Sequence, residues 1–494
     1  MAGLDVHTPP PDKGGEGTPS ITHGPPARAI LKLALPTVVA MLTQSIVNEV
    51  DIVFLARLGC PESSNAQSAL LPSLVVLWLF GGSLSAISVG TQAFVGRRFA
   101  EKRDGDAGAV LANAALFAAI AGVVFSIAGY LLMPSVLSVI IPAGKDGAVP
   151  AARIAAQAYL KWRFLGVTSM ATTFAFKAFF DGIGKTHVHL VSAVVMNALN
   201  IVLCVIFIFG NETLGAPRMG IAGAGLAGFA STYVGLAILI GYALHPTYRR
   251  RFHPFAAKKL SGALTLDIVK LSYPSAIATI AVTTGLALFV GISQRLDVLF
   301  PAGVASPLCP GGAGEPVNGA ATAVVAGVLK LIFTACLAFG TSTATLVSQS
   351  LGEKDSDKAA RFGWTSVKLG AVFFGGVGLL LALFAPQVLH FVAKSDLVRA
   401  AALNPLRLMG LVTPFIAIGM ILTQALFGAG NTRFVMVVEL ILHFAVFVPL
   451  AWVFGITLQM GLIGIWWAGV VYAALLAVVM TLKFRSGDWK KIKL

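Results

Sequence analysis

The sequence predicts an all-α membrane protein with twelve transmembrane helices in two six-helix lobes related by a parallel repeat. Three observations carry that prediction. The chain is 57% apolar and 12% charged, with a mean hydropathy of +0.85, which an ordinary soluble globule does not reach. Its apolar runs are long enough for helices to cross a bilayer and do not alternate every second residue, which excludes a barrel. Five short motifs recur once each, in order, at a near-constant spacing.

Residues 1–27 are polar and rich in Pro and Gly. Without an apolar run they are expected to form a disordered cytoplasmic tail, not a signal peptide. Twelve apolar segments come next, at 29–56, 66–95, 107–133, 152–180, 188–210, 221–245, 265–297, 319–350, 362–385, 398–428, 433–455 and 461–484; they are spans 1 to 12 below. Residues 28–245 then form an N-lobe, 246–263 a cytoplasmic linker, 264–485 a C-lobe and 486–494 a C-terminal cytoplasmic tail.

The loops after even-numbered spans, with the C-terminal tail, hold nineteen Lys and Arg, against seven on the opposite side. The net charge of +15 is therefore a topology signal. It places both termini in the cytoplasm of a multi-pass protein of the inner (cytoplasmic) membrane. The linker, with Arg249, Arg250, Arg251, Lys258 and Lys259, is expected to be a solvated strap. Loop 298–318, dense in Pro and Gly, is expected to be a poorly ordered insertion on the outer face. Cys309 lies in it, and Cys60 lies in the equivalent loop of the first half. Free thiols are expected there, because a bond between lobes would hinder their separation.

The repeat is read from paired motifs. Leu33-Ala-Leu-Pro36 returns as Leu271-Ser-Tyr-Pro274, at an offset of 238. Glu101-Lys102 returns as Glu353-Lys354 (252), and Arg163-Phe-Leu-Gly166 as Arg407-Leu-Met-Gly410 (244). Gly182-Ile-Gly184-Lys-Thr186 returns as Gly428-Ala-Gly430-Asn-Thr432 (246), and Met219-Gly220-Ile-Ala-Gly223 as Met460-Gly461-Leu-Ile-Gly464 (241). With six spans per half, both copies cross the membrane in the same sense, so the symmetry axis runs along the membrane normal.

Span 1 carries the sharpest functional signal. Asp51 is a carboxylate inside an apolar helix, and a charge at membrane depth is costly enough to mark a functional site. Gln44 and Asn48, seven and three residues earlier, share its face. Glu49 points to a different side and is a candidate for attracting a cationic substrate. Pro36, about four turns before Asp51, is a candidate hinge. On span 11, Glu439 and His443 are four residues apart and share a face. With Lys330 on span 8 they could form a second polar site or a purely structural ion pair. Arg163 and Arg407 are expected to pair within their lobes, and Asn197, Asn200 and Cys204 to line one face of span 5.

These residues together resemble the multidrug and toxic compound extrusion (MATE) family. The resemblance rests on Leu33-Ala-Leu-Pro36 with Asn48-x-x-Asp51 and Arg57-Leu-Gly59, and on Asn200-Ile-Val-Leu before Phe209-Gly210. Met219-Gly-Ile-Ala-Gly-Ala224, Leu346-Val-Ser-Gln349-Ser-Leu-Gly352 and Phe427-Gly-Ala-Gly-Asn-Thr432 extend it over nearly all of the chain after the tail. It implies a V-shaped pair of six-helix lobes and cation-coupled efflux of organic, often cationic, compounds. It also implies that Asp51 is the coupling carboxylate, with Asn48, Asn200 and Gln44 beside it, and that Pro36 is a bend point. In such transporters span 5 adds an Asp four residues after the Asn, and span 6 a Thr. Here those positions are Cys204 and Gly228. The Glu that other bacterial members place early in span 7 falls near Val282, in an apolar stretch. A hard cation wants several oxygen ligands, so a proton is favoured over sodium.

The expected function is thus secondary antiport by alternating access, with small organic substrates and the bilayer as partners, in a monomer. The alternative is a flippase for lipid-linked saccharides, although the acids of span 1 suit a pyrophosphate poorly. No cofactor or metal is expected. Gly184-Lys185-Thr186 lacks the glycine a nucleotide-binding loop needs, since position 179 is Phe. The four cysteines make no metal motif, and no nucleic-acid module is present. Nothing in the sequence points to an enzyme.

Overall fold

The computed structural model describes residues 24–58, 62–141, 149–213, 215–299, 317–393 and 395–492. Cys60, Cys309 and most of loop 298–318 lie outside the described residues, and so do the expectations made for them. The described chain is nearly all helical. Ten helices are long and apolar enough to cross a membrane, and a bent pair, Pro72–Phe80 with Gly82–Ala100, makes an eleventh. The helices Ala151–Leu165 and Val167–Gly182, parted at Gly166, stand where span 4 was expected.

Spans 1, 3, 5 and 6 are Pro26–Ala56, Asp104–Ile140, Thr186–Phe209 and Ile221–Leu244. Spans 7 to 10 are Gly262–Leu299, Val317–Gly352, Ser356–Leu383 and Asp396–Ala429. Span 11 runs over Thr432–Thr457 and span 12 over Gly461–Ser486.

The breaks have local causes. Span 2 bends by 44° where Gly81 and Gly82 meet. A Cβ on Gly82 would collide with the Trp78 ring, so the bend needs glycine there. Where span 4 breaks, Ser126 Oγ donates to the Phe164 carbonyl and Tyr233 Oη to that of Leu165 at 3.2 Å. In lipid those carbonyls have no water to turn to. Span 1 continues through Pro36, which removes one backbone donor. Thr37 Oγ1 one residue on donates to the Leu33 carbonyl at 3.0 Å. Span 11 carries two π-helical stretches, Leu442–Phe447 and Val453–Thr457, on either side of Pro449.

Buried apolar side chains gather into two cores, one mostly of spans 1 to 6 and one mostly of spans 7 to 12. The starts of spans 1 and 7 cross over. Ala29, Ile30, Leu33 and Ala34 pack in the second core, while Ile268 and Leu271 pack in the first. The lobes are therefore laced together on the face that holds the ends of spans 2 and 8, the basic face.

Polar bonds reinforce that closure. Gln92 Nε2 donates to Thr341 O at 2.8 Å and to Thr345 Oγ1 at 2.7 Å. Gln349 Nε2 donates to Gly182 O at 2.7 Å, and Thr345 Oγ1 to Asp181 O at 3.1 Å. The buried Arg97 donates to Ala429 O at 2.9 Å and to Ile492 O at 2.8 Å, tying the C-terminal segment to span 2. At the other end, Asp297 of span 7 accepts from the backbone amides of Asn318 and Gly319 at 2.7 and 2.8 Å. Its carboxylate thereby caps the start of span 8.

The linker is not the solvated strap its charges suggest. It forms a short helix, Pro246–Phe252, whose arginines are exposed while Phe252 is buried. The Phe252 ring packs edge-on to Phe179 at 5.2 Å and near Phe99 at 6.3 Å. Asn113 then clamps the end of the linker, donating to Lys259 O and accepting from Ser261 N. One apolar ring with a complementary aromatic cavity outweighs the solvation of its neighbours.

Candidate functional site

The candidate site lies where span 1 packs on span 5, which packs in turn on span 6. Asp51 is half-buried, and the Cys204 thiol donates to its Oδ1 at 3.3 Å. The same sulfur lies 3.8 Å from Asn200 Oδ1. Asn200 Nδ2 donates to Ser231 Oγ at 3.3 Å, which carries the chain of polar contacts to span 6. One turn earlier on span 5, Asn197 Nδ2 donates to Thr43 Oγ1 at 3.0 Å, and the Asn197 Oδ1 is buried with no hydrogen-bond partner. The spacing explains the geometry: Asn197, Asn200 and Cys204 fall on one helical face, and that face is turned to span 1.

Cys204 is the residue that joins Asp51 to Asn200. Its thiol is fully buried and reduced, and it acts as a weak donor. Gln44 is half-buried on the same helix as Asp51, while the side chains of Asn48 and Glu49 lie outside the described part. Pro36 lies inside the span 1 helix, between Leu35 and Thr37.

Arg163 of span 4 packs against span 6 at Gly228. It sits in the last turn of the first half of span 4, half-buried, with its guanidinium carbon 5.9 Å from the centre of the buried Tyr159 ring. A Cβ added to Gly228 would collide with Arg163 Nη1. The guanidinium thus fills the space that a side chain on Gly228 would take. Among the described residues no ion pair joins Arg163 to Asp51, and Arg163 Nε is buried without a hydrogen-bond partner. Arg163 was singled out in the sequence as a repeat-related residue, and Gly228 as a missing oxygen ligand; only the fold shows that one answers the other.

In the C-lobe, Glu439 and His443 do meet, with His443 Nδ1 at 3.3 Å from Glu439 Oε2. Tyr472 of span 12, which no sequence motif picks out, donates its hydroxyl to Glu439 Oε2 at 3.1 Å. The two acid–base partners are 6% and 3% exposed. Lys330 is exposed on span 8. Arg407 is likewise exposed, unlike its repeat partner Arg163.

Among the described residues no group of three His, Cys, Asp or Glu could hold a metal ion.

A family model described as MatE matches residues 36–206 and 315–453, more than half of the chain. Among known proteins, the probable multidrug resistance protein NorM of Thermotoga maritima is 26% identical over 468 residues, covering 94% of this chain and 93% of that protein. The uncharacterized transporter YisQ of Bacillus subtilis is 23% identical over 475 residues, covering 93% and 94%. Among solved structures, the outward-facing conformation of a multidrug resistance MATE family transporter of the MOP superfamily superposes with a TM-score of 0.82. Its identity is 21%, over 97% of this chain and 100% of that one. At that identity the likeness is one of fold.

Proposed function

The chain belongs to the MATE family of transporters, and from that membership we propose that it is a secondary antiporter. It exports small organic cations by alternating access, driven by protons entering through Asp51. The chain sits as a monomer in the inner membrane with its basic face and both termini in the cytoplasm. Drug export is the function carried in the printed name of the NorM relative.

The observation that carries the proton reading is the contact set of Asp51. Its partner on span 5 is a thiol, and Asn200 Oδ1 already faces that thiol. A hard cation takes several oxygen ligands at short distance, and a protonated sulfur supplies none. A proton needs only the carboxylate. In this reading Asp51 is ionised in one access state and neutral in the other. Neutralising it removes the reason for Cys204 to donate, changes the fit of span 1 on span 5, and alters the balance between states. Substrate and proton compete because each favours a different state of the same lobe.

The polar lacing on the basic face closes the route between the lobes on that side. A return to the other state requires Gln92, Arg97 and Gln349 to release their partners across the interface.

The test is transport into inverted vesicles, with fluorescent organic cations supplied in the outside medium. A pH gradient at constant sodium should drive uptake, and a sodium gradient at constant pH should not. Uptake that tracks sodium alone would overturn the proton assignment.

A further inference from the structure

Past the end of span 12 the chain turns back onto the protein. Gly487, with φ at +74°, ends the helix in a left-handed conformation that suits glycine, and a short turn, Asp488–Lys491, follows. Trp489 in that turn is fully buried. Its ring stacks on Phe484 of span 12 at 4.6 Å, and its Nε1 donates to the Phe484 carbonyl at 2.8 Å. Phe484 is itself seated on Gly363 of span 9, where a Cβ would collide with the ring. Lys490 pairs with Asp357 at the start of span 9 at 2.7 Å. Residues 487–492 are thus a strap fixed to the C-lobe. Its far end reaches the other lobe, where the Ile492 carbonyl accepts from Arg97 Nη1 of span 2 at 2.8 Å.

The internal repeat marks that last contact as an addition. The offset of 252 that relates Glu101 to Glu353 carries Arg97 to Gln349. Both side chains make an equivalent bond across the lobe interface. Gln349 Nε2 donates to the Gly182 carbonyl, and Arg97 Nη2 to that of Ala429, one residue past the counterpart of Gly182. The glutamine stops there. The guanidinium has a second arm, and that arm holds the strap.

We propose that residues 487–492 form a latch on the basic face: Trp489 anchors it to the C-lobe, and Arg97 is the catch on the N-lobe. The proposal rests on alternating access and is independent of the coupling ion. Anchor and catch belong to different lobes, so the latch holds only while that face is closed. Opening must pull the Ile492 carbonyl from a buried charged donor, which weights the protein toward the closed state. The strap has room to lift, because a cleft of about 550 Å³, lined by Arg98, Lys270 and Arg433, opens beside Ile492.

The experiment measures spin-label distances between the ends of spans 2 and 8 in the full chain, in detergent and without a gradient. Arg97→Gln copies the C-lobe counterpart, keeping a donor for Ala429 and dropping the strap. It should raise the population open at the basic face roughly tenfold, the loss of one hydrogen bond to a charged group. Trp489→Ala frees the other end of the strap and should give a rise of similar size. The two together should do no more than either alone, because they break one bridge. Gln92→Ala cuts different bonds and should add to both. A purely structural Trp489 would lower stability without this pattern. If Trp489→Ala does not fold, Lys490→Glu takes its place, and adding Asp357→Lys should restore closure. Two results overturn the latch: a folded Arg97→Gln protein with the wild-type distribution, or strap and catch variants whose effects simply add. In either case a rise in Gln92→Ala leaves alternating access standing. If no variant populates an open state, the latch and alternating access both fall.

Discussion

The same scaffold is used twice in this chain, and its two copies handle charge in opposite ways. The offset of 238 that relates Pro36 to Pro274 carries Asp51 to Phe289. In the N-lobe that position meets a thiol. In the C-lobe it is an aromatic ring, stacked on Phe447 of span 11 at 4.9 Å and edge-on to Trp466 at 5.1 Å. The offset of 246 carries Asn197 to His443, and that of 241 carries Ser231 to Tyr472. The Asn197 position thus answers to His443 and the Ser231 position to Tyr472, and in the C-lobe both of these meet Glu439. Each lobe has a polar joint between its last two spans. Only the N-lobe extends that joint to a carboxylate on the crossing helix that also packs on the opposite lobe. A group whose helix bridges the lobes can convert a change of charge into a change of shape.

The largest effect is expected at Asp51, where the lobes differ most. Asp51→Asn should reduce gradient-driven export to background while the protein still folds and binds substrate. Wild-type export by this variant would move the coupling role to Glu49 or to the Glu439–His443 pair. Next, Glu439→Gln should leave proton-driven export near the wild-type rate. It should still lower stability by about 1–3 kcal/mol, since His443 and Tyr472 lose a charged acceptor in a buried place. A denaturation series in detergent measures the second effect. Loss of export without loss of stability would mean that the C-lobe pair carries protons as well.

A smaller effect is expected at the interface. Gln92→Ala deletes two bonds across the basic face, each worth about 0.5–1.5 kcal/mol. Spin-label distances between the ends of spans 2 and 8 should show a severalfold rise in the open population. An unchanged distribution would show that the apolar crossing of spans 1 and 7 sets the closure by itself. The smallest effect is at Arg407. Because it is exposed where Arg163 is seated, Arg407→Gln should change stability by no more than about 0.5 kcal/mol and leave export intact. A strong phenotype there would restore the symmetry of the two arginines that the structure breaks.

Much of this was legible in the chain. The class is read from composition because lipid tolerates only helices or closed barrels. The duplication is read from motif spacing, and the pair Glu439 and His443 from a four-residue separation on a helix. Span limits were close, since apolar length is set by bilayer thickness. The linker was misread because its five basic residues outnumber one buried ring, and sequence does not show the cavity between Phe99 and Phe179 that receives Phe252.

The sequence by itself determined that Asp51 is a carboxylate inside an apolar helix, with Gln44 and Asn48 on its face, and periodicity within one helix suffices for that. That Cys204 and Gly228 stand where an Asp and a Thr are expected, beside the retained Asn200, is what the family resemblance implies. Only the tertiary structure decided what surrounds Asp51. Cys204, whose thiol meets its carboxylate, lies 153 positions away in the chain, and beyond it Asn200 reaches Ser231 on another helix. Contacts between helices depend on distance in space, and spacing along a helix carries no information about it.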